Sequence, residues 1–508
     1  FTATRSIGQE FASHLMTGVP AMCRRDLANQ IGAMLRPSGQ PWFHARTQIE
    51  EINRDPTARK WLDWASERMR LFMNDTRSGF SRATKEGDHD FAAFGQAVLQ
   101  VELDQKTNGL LFRCWHLRDV AWAENYRYEI DRVHRKWKPT VRQLNQLFPG
   151  KLAPRAKEML AKQPFTEINC QHIILPADEY DLKGNRRGLK FVSVYVDVDN
   201  QHILEEVAIP DNTYVIPRWQ TVSGSQYAYS PSTVIAISDA RMLQQMTLTL
   251  LEAGQKAVDP SMLAVGDAIQ GGVNLFAGGI TYVDAEYDEK TGEALRPLVT
   301  DKGGFNWGDN REQRIREVIM EAFYLNQIQL PELKGDMTAY ETQKRVEEYV
   351  RRAAPLFEPM QTEYNGAVCD KTFDILLRNG AFGSVWDMPK SLAGQDVRFT
   401  FESPLQAAQT RANSQAFMAT AQVLQVAAQL DPMVVHDLDM DRAFRDAAEG
   451  SGAPAAWFVD EEVAAQKKQQ AAQAQQAQEM ATLQQGAMAA DSAGSAAKNF
   501  NKAFSPSP

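Results

Sequence analysis

Two long helical segments with a loop between them fill residues 309–378 and constrain the fold more than any other feature. Each segment begins with a capping-box pattern, in which a cap residue is followed three positions later by glutamate. The first pair is Asp309 with Glu312, and the second is Thr338 with Glu341. We therefore predict that one helix begins at residue 309 and the other at residue 338.

The loop between these helices, residues 326–337, is apolar and too short to form a domain. The helix that follows it carries Pro355 and Pro359. A proline inside a helix removes a backbone donor and bends the helix axis. A helix, a projecting loop and a long kinked helix favour a component of a machine over an active site.

Alternating apolar residues predict a mostly antiparallel sheet between residues 90 and 225, preceded by helices in the first ninety residues. The clearest hairpin turns at Asn108-Gly109, a pair that tight β-turns prefer. A short helix is expected after Thr140, which has Gln143 at the capping-box spacing. The predicted strands cover residues 98–103, 110–115, 126–133, 191–198, 203–209 and 213–219. The fold class is therefore α+β.

A further long helix begins at Ser230-Pro231, where a cap residue precedes a proline at the first helical position, and it ends near Val258. Its apolar residues lie on more than one face, and such a helix must be buried on several sides. It is either a core helix of a monomer or a helix that contacts subunits on both sides in a ring. Its sequence is compatible with both alternatives.

Two stretches have an unusual composition. Residues 259–308 are rich in glycine and short strands, which predicts a compact insert between the long helices. Residues 464–490 contain ten alanines and nine glutamines. These residues favour helix, but a helix with so few large apolar side chains cannot pack alone. The segment is either a disordered tail or one helix of a barrel formed by several chains.

The overall composition is that of a globular protein, with 508 residues of which 44% are hydrophobic and 23% charged. The net charge of −9 argues against a protein that coats nucleic acid, although it allows one that surrounds DNA without gripping it. No segment is long and apolar enough to cross a bilayer. The four cysteines lack metal-binding spacing, so we expect reduced thiols. Because the chain begins at Phe1, we expect part of the native N-terminus to be missing.

The chain carries no complete catalytic or metal-binding motif. Residues 437–441 have aspartates at the spacing of a calcium loop, but Arg442 stands where the loop needs glycine and Ala448 where it needs glutamate. Residues 88–90 form an isolated Asp-His-Asp sequence that we interpret as a solvated loop. HExxH, GxSxG and GxxxxGK[ST] sequences are missing. We therefore expect no enzyme activity and no cofactor.

Basic residues concentrate in residues 127–142, among the aromatic residues Tyr126, Tyr128 and Trp137. Such a mixture could bind nucleic acid, but a solvated surface with acidic neighbours such as Glu129 explains it better. The basic members are Arg127, Arg132, His134, Arg135, Lys136, Lys138 and Arg142.

In this order, the parts resemble the head-to-tail connector, or portal protein, of short-tailed bacteriophages. The resemblance covers residues 50–400 and rests on an ordered set of short stretches. These are Phe91-Ala-Ala-Phe-Gly95, Tyr128-Glu-Ile-Asp-Arg-Val133 followed by Thr140-Val-Arg-Gln-Leu144, Ser230-Pro-Ser232, and Phe323-Tyr-Leu-Asn-Gln327 followed by Met337-Thr-Ala-Tyr-Glu341.

The resemblance implies a portal-type subunit that assembles as a ring. Its parts would be a mixed wing domain, long stem helices, a small α/β clip, a helical crown and a C-terminal barrel helix. By position, they would cover residues 1–230 (wing), 231–258 (first stem helix), 259–308 (clip), 309–325 (second stem helix), 326–337 (channel loop), 338–400 (long kinked helix of the wing and its return), 401–455 (crown) and 456–508 (barrel helix and tail).

The same resemblance implies three groups of functional residues. The channel loop would hold Leu330, Pro331, Glu332, Leu333, Lys334, Gly335 and Asp336 beside DNA. The clip would present Asp284, Glu286, Tyr287, Glu289 and Lys290 to the terminase and later to the tail adaptor. Candidate channel or stem charges are Arg311, Arg314 and Arg316. Their alternation with glutamates along the helix also predicts ion pairs within that helix.

As partners, the resemblance implies further copies of this chain, twelve being the expected number, around double-stranded DNA. Terminase, tail adaptor and capsid proteins would be the other partners, with no membrane and no cofactor. The protein would be made in the host bacterial cytoplasm and would act in the virion during DNA packaging, retention and ejection. The alternative is a nucleic-acid-binding virion protein that forms no ring and uses residues 127–142. Self-association without DNA separates these two hypotheses.

Overall fold

The structure is a computed structural model with mixed α and β elements. It describes residues 15–37, 41–104, 107–180, 188–258, 262–264, 269–270, 282–283, 295–297, 304–325, 360–383 and 388–401, and a few single helical positions between 417 and 470. The chain divides into two compact units. The first comprises residues 1–45, 64–387 and 398–405, and the second comprises residues 46–63, 388–397 and 406–508.

The N-terminal residues are mainly helical, as predicted. The helices are α1 (Val19–Leu35), α2 (Glu50–Arg54), α3 (Pro56–Asn74) and α4 (Phe80–Phe94). A strand that was not predicted, β1 (Phe43–Thr47), pairs with β16 (Val397–Phe401). Its aromatic residue Phe43 is buried and meets Phe399 edge to face at 5.6 Å. One short strand among helices escapes a pattern-based prediction because its partner lies more than 300 residues away in sequence.

The predicted hairpin at Asn108-Gly109 is confirmed. Strands β2 (Val98–Asp104) and β3 (Gly109–Trp115) pair antiparallel along their whole lengths. Asn108 has φ 54°, the left-handed conformation that asparagine tolerates in a tight turn. The strand predicted at residues 213–219 shrinks to β9 (Tyr214–Val215), which extends this sheet on the other edge of β2.

A five-stranded antiparallel sheet forms the larger β-structure of the first unit. Its order is β4 (Val120–Glu124), β5 (Ile130–Trp137), β6 (Cys170–Pro176), β7 (Phe191–Asp197) and β8 (His202–Ile209). The predicted pairing of residues 191–198 with 203–209 is confirmed. The strand predicted at 126–133 begins later, because the Asn125 side chain accepts hydrogen bonds from the backbone N–H groups of Arg127 and Glu129 and closes a turn there.

Two short helices pack on one face of this sheet. The capping box predicted at Thr140 and Gln143 is present and starts α5 (Val141–Leu147). The second helix is α6 (Pro154–Lys162). Both helices cover an apolar cluster formed by Val141, Leu144, Phe148, Leu152, Ala153, Ala156, Ile168, Cys170 and Leu204.

The long helix predicted from Ser230 is confirmed as α7 (Pro231–Val258). The Ser230 hydroxyl accepts a hydrogen bond from the Thr233 backbone N–H at 3.3 Å, as an N-cap does. Short strands β10 (Gln220–Thr221) and β11 (Ala228–Tyr229) form a ladder just before it.

The insert after α7 contains two antiparallel ladders among its described residues. Strand β12 (Met262–Ala264) pairs with β15 (Leu295–Pro297), and β13 (Ile269–Gln270) pairs with β14 (Tyr282–Val283). The remaining positions of the insert lie outside the described residues.

Helix α8 (Gly304–Ala322) begins five residues earlier than the capping box at Asp309 predicted, so that prediction is wrong. Helix α8 packs closely on α7 just before Asp309. A Cβ atom added at Gly308 would lie 2.6 Å from Leu250 Cδ2, so glycine lets the two helices approach before Asp309.

The described part of the second predicted helix begins at Met360. It contains a π-helical turn (Gln361–Gly366) and α9 (Ala367–Arg378), and it ends where predicted. Its predicted start at Thr338 and the kinks at Pro355 and Pro359 lie outside the described residues. So do most of the predicted crown and tail, including the aspartates of residues 437–441 and the Ala/Gln-rich segment.

Gly95 ends α4 where the helix approaches the backbone of Tyr229 closely. It has φ +73°, and an added Cβ atom would lie 2.0 Å from the backbone carbonyl carbon of Tyr229. We expect Gly95→Ala to lower the melting temperature well beyond the effect of Gly150→Ala. Gly150 also has a left-handed φ, +78°, but has open space around it, so its cost is about 1–2 kcal/mol from conformation alone.

Thermal unfolding of both variants, followed by circular dichroism, measures the difference. Equal losses in the two variants would show that the contact between Gly95 and Tyr229 does not constrain the fold.

Candidate functional site

Helices α7 and α8 form a pair joined by a buried carboxylate. Glu312 of α8 accepts a hydrogen bond from the Thr247 hydroxyl of α7 at 3.1 Å and pairs with Arg316 one turn away. The ion pair predicted within the helix is therefore confirmed for Arg316. Arg311 and Arg314 are exposed, and neither has an ion-pair partner in the part of the chain that the structure describes.

The interpretation of α7 as a core helix is wrong for the single chain. Only Ser232, Ala236 and Leu243 are buried among its 28 residues. These three small or aliphatic residues lie on one face, separated by four and seven positions, which corresponds to one and two helical turns. The described part of the chain therefore buries one face of α7, covers Met246, Leu248 and Leu250 partly, and leaves several other apolar residues exposed.

The exposed apolar residues of α7 lie on the two flanks of the buried face. Ile235 and Met242 are seven residues apart and share one flank, with 55% and 43% of their surfaces exposed. Ile237 and Leu251 lie on the opposite flank and are 46% and 52% exposed. Val234 points away from the buried face between these flanks and is also exposed. A helix with apolar stripes on both flanks offers two different contact surfaces.

A glutamine side chain binds the N-terminal segment to α7. Gln244 Oε1 accepts hydrogen bonds from the backbone N–H groups of Met16 and Thr17, at 2.7 and 3.1 Å. Gln244 Nε2 donates to the Thr17 carbonyl at 2.7 Å. One side chain thus makes three backbone hydrogen bonds to a segment more than 220 residues away in sequence.

A buried ion pair anchors the π-helical turn that ends the long predicted helix. Arg36 and Asp88 form this pair, and both side chains are 6% exposed. Arg36 Nη1 also donates to Asn365 Oδ1 at 2.7 Å, and its guanidinium lies 4.6 Å from the centre of the Tyr364 ring. Asn365 Nδ2 donates to the Leu35 carbonyl. The interpretation of residues 88–90 as a solvated loop is therefore wrong, since they lie in α4 and Asp88 is buried.

A second anchor joins the same turn to the β4–β5 hairpin. Arg218 pairs with Glu124 of β4 and with Glu363 of the π-helical turn. Farther along α9, Lys371 pairs with Asp211 at 2.8 Å. The end of the long helix is thus fixed to α1, α4 and the sheet. π-helical turns are frequent at functional positions.

The predicted basic cluster at residues 127–142 does not form one surface. Arg135 is only 2% exposed. Arg132 pairs with Glu179, and the Arg127 guanidinium lies 5.3 Å from the centre of the Tyr126 ring. The exposed remainder consists of His134, Lys136, Lys138 and Arg142. The prediction of a solvated surface is wrong for Arg135.

Arg135 is held between two indole rings inside the first unit. Its guanidinium carbon lies 3.7 Å from the centre of the Trp115 ring and 4.3 Å from that of Trp137. Arg135 Nε donates to the Tyr214 hydroxyl at 2.7 Å. Cation–π contacts of a desolvated guanidinium are worth about 2 kcal/mol or more. This arginine is structural.

A buried polar network continues from Tyr214. His172 Nδ1 lies 2.6 Å from the Tyr214 hydroxyl, and His172 Nε2 lies 2.8 Å from the Ser193 hydroxyl. The imidazole stacks on Tyr195, whose hydroxyl donates to Glu102. Burial, followed by the charge of Arg135, holds the pKa of His172 well below its usual value. The histidine is therefore neutral and structural at physiological pH.

No group of metal-ligating side chains occurs among the described residues. The four cysteines are free thiols, as predicted. The channel-loop residues Leu330, Pro331, Glu332, Leu333, Lys334, Gly335 and Asp336 lie outside the described residues. The same holds for the clip residues Asp284, Glu286, Tyr287, Glu289 and Lys290. Their roles stay predictions.

Sequence reasoning missed Gln244, Arg36 and Asp88. The signal for Gln244 is slight, a polar residue inside an apolar helix. Arg36 and Asp88 lie more than 50 residues apart on two helices, so no local spacing marks them as a pair.

Comparison with known proteins gives a consistent result. A family model described as "Bacteriophage head to tail connecting protein" matches residues 1–459. The "Probable portal protein" of Bordetella phage BPP-1 is 25% identical over 515 aligned positions, which cover 97% of this chain and 89% of that protein. The "Portal protein" of Salmonella phage epsilon15 is 23% identical over 480 positions, which cover 92% and 84%.

Among solved structures, a chain from "Virion of native gene transfer agent (GTA) particle" is similar over 80% of this chain and 86% of that one. The identity is 11% and the TM-score is 0.33, which is too low to carry an argument.

The chain belongs to the family of bacteriophage head-to-tail connecting proteins, because the family model matches most of its length. This confirms the resemblance to portal proteins. The protein is a structural component of a phage virion and not an enzyme. In the described part of the chain, no helix has the length and hydropathy needed to span a membrane.

The burial of Arg135 leads to a stability test. We expect Arg135→Gln to lower the free energy of unfolding by about 2 kcal/mol or more, because it removes two desolvated cation–π contacts and the hydrogen bond to the Tyr214 hydroxyl. Lys136→Gln, on the exposed side of the same strand, should change it by less than about 0.5 kcal/mol. Chemical unfolding followed by tryptophan fluorescence compares the two variants, and equal effects would contradict a structural role.

Proposed function

We propose that this protein is a subunit of a ring, with twelve copies expected, that forms the DNA channel at one vertex of the capsid. Double-stranded DNA would pass through the ring during packaging, be retained by it, and leave through it at ejection. In this role α7 and α8 are the stem, residues 259–308 the clip, 326–337 the channel loop, 401–455 the crown and 456–508 the barrel.

The two apolar flanks of α7 are the observation that carries this proposal. A monomer rarely leaves four large aliphatic side chains of one helix in solvent without a partner. Two unlike surfaces on one subunit make head-to-tail contacts, and such contacts close into a ring when the rotation permits. A two-fold dimer would instead use one surface twice and leave the other flank exposed.

The charge of the chain suits a channel that DNA slides through. Each phosphate contact deepens binding and slows release, so a wall with net negative charge and few cations lets DNA move. Arg311 and Arg314 are exposed on α8 without ion-pair partners among the described residues, and they are the candidate phosphate contacts of the stem. Lys334 would serve the same purpose in the loop, balanced by Glu332 and Asp336.

The clip would dock the terminase first and the tail adaptor later, through Asp284, Glu286, Tyr287, Glu289 and Lys290. Capsid proteins would contact the wing. These assignments follow from the order of the parts along the chain, and the short ladders β12–β15 and β13–β14 agree with a compact clip.

Head-to-tail assembly predicts that each flank of α7 is needed separately. We expect the purified protein to form rings without DNA, and both Ile235→Ser/Met242→Ser and Ile237→Ser/Leu251→Ser to abolish them. Each variant keeps the flank that the other has lost, so a mixture allows one intact contact between unlike subunits. The mixture should therefore form heterodimers but no rings. Mass photometry measures all species.

Val234→Ser, which lies between the flanks, is the matched control and should assemble normally. Unsubstituted protein that stays monomeric at several salt concentrations would contradict the ring. That outcome would leave the non-ring nucleic-acid-binding alternative.

The channel loop has its own test. We expect deletion of residues 330–336 to leave rings of unchanged size while reducing DNA packaging or retention, because the deletion removes a projection and no stem contact. Packaged DNA per particle, measured by nuclease protection, gives the effect. Normal packaging by rings carrying the deletion would show that these residues are not the channel loop.

A further inference from the structure

Residues 136–162 carry a concentration of positive charge that the channel does not use. They contain seven lysines and arginines and a single acidic residue, Glu158, in a chain with a net charge of −9. All seven side chains are exposed. Lys136 lies on the face of β5 opposite to Trp137, which packs against the α5 and α6 cluster. We call the other six the basic surface: Lys138, Arg142, Lys151, Arg155, Lys157 and Lys162.

The basic surface belongs to α5, α6 and the residues that flank them, and both helices pack on one apolar cluster with these cations exposed. The Arg142 backbone N–H donates to the Pro164 carbonyl at 3.0 Å, which places the start of α5 against the end of α6. The charges of Lys138 and Arg155 both act on the Asp199 carboxyl group. Hydrogen bonds from Asn169, and then the charges of Lys138 and Arg155, lower the pKa of this carboxyl group.

Neighbouring acids offset part of this charge, including exposed Glu167, which is bridged to Thr140 between Lys138 and Arg142. Lys151 pairs with Glu205 at 2.6 Å, and it is the one member of the basic surface with an ion-pair partner among the described residues. Asp199 is already hydrogen-bonded to Asn169. Glu158 lies between Arg155 and Lys162 on α6, so the helix keeps an excess of cations. An ordinary surface intersperses both signs of charge.

We propose that the basic surface binds the phosphate backbone of double-stranded DNA outside the channel. Duplex DNA carries one charge per ~1.7 Å of its axis, and several lysines and arginines spread over two helices can neutralise several phosphates at once. No base reading is needed, so binding would be independent of sequence.

An acidic protein is the other polyanion that could bind here. Protein interfaces usually centre on buried aromatic or aliphatic anchors, and the exposed large apolar side chains of this region are Leu147 and Phe165. Six cations against two such anchors favour a phosphate backbone. The two partners differ in their need for Phe165, which an acidic protein would use as an anchor.

The experiment uses the full chain and a short, covalently closed circular duplex, because a closed circle cannot thread a preformed ring. Binding is measured by fluorescence anisotropy at several salt concentrations. The charge variant is Lys138→Gln, Arg142→Gln, Arg155→Gln and Lys157→Gln together. We expect it to bind at least about 100-fold more weakly, with the slope of log affinity against log salt reduced by about 0.9 for each phosphate that is no longer neutralised.

The matched control removes four exposed cations from α3, α4 and the turn after β3: Arg68→Gln, Arg82→Gln, Lys85→Gln and Arg118→Gln. It has the same net charge as the charge variant and should bind like the unsubstituted protein. Phe165→Ser should also leave binding unchanged. Mass photometry of each protein records ring formation separately, so a failure of the ring is not mistaken for a failure of the basic surface.

Three results would overturn the proposal. The first is no binding of the closed circle by the unsubstituted protein. The second is equal binding, or an equal decrease in binding, in the charge variant and its control. Affinity would then depend on the net charge of the protein and not on the position of the cations. The third is displacement of DNA by polyglutamate of equal charge together with loss of binding in Phe165→Ser, which would assign the surface to an acidic protein.

Discussion

The rest of the first unit depends on one buried ion pair, Arg36 with Asp88. Taking both charges out of water costs free energy. The pair is stable only because other groups make hydrogen bonds and ring contacts with the remaining polar atoms. Asn365 and the Tyr364 ring supply these contacts from a segment more than 270 residues farther along the chain. Removing one partner of a buried pair costs about 3–5 kcal/mol, because the other charge is left without compensation.

This pair also fixes the π-helical turn to α1 and α4. The π-helical turn that holds Tyr364 and Asn365 follows the predicted channel loop in sequence, and Arg218 joins the same turn to the sheet through Glu363. The far end of the long helix is therefore anchored at two points with different chemistry. Glycine makes the first anchor possible: a Cβ atom at Gly87 would lie 2.7 Å from the Tyr364 hydroxyl, and one at Gly32 would lie 2.9 Å from Asp88 Oδ2.

Local patterns predicted the elements whose cause is local. The Asn108-Gly109 turn, the capping box of Thr140 and the Ser230-Pro231 helix start each depend on residues within a few positions. The predicted start of α8 was wrong by five residues, and its close approach to Leu250 at Gly308 depends on another helix that local spacing does not reveal. Arg135 was misjudged because its partners Trp115 and Tyr214 come from other strands.

In the candidate site, too, some features can be predicted from the sequence and others depend on the whole fold. An apolar excess on α7 is visible in its sequence, but whether the chain itself covers that excess is a property of the whole fold. Likewise, charges in residues 127–162 can be counted in advance. Only the fold separates Arg135, which is buried between rings, from Lys138 and Arg155, which are exposed.

The position of the two apolar flanks on α7 has a consequence for the geometry of assembly. If neighbouring subunits contact each other through opposite flanks, each subunit acts as a wedge, and the angle between its two contact faces sets how many wedges complete a circle. That angle depends jointly on Ile235, Met242, Ile237 and Leu251, so no single residue fixes the number of subunits. Small changes in side-chain volume on one flank would alter the curvature, so closed assemblies of neighbouring sizes are separated by small differences in packing.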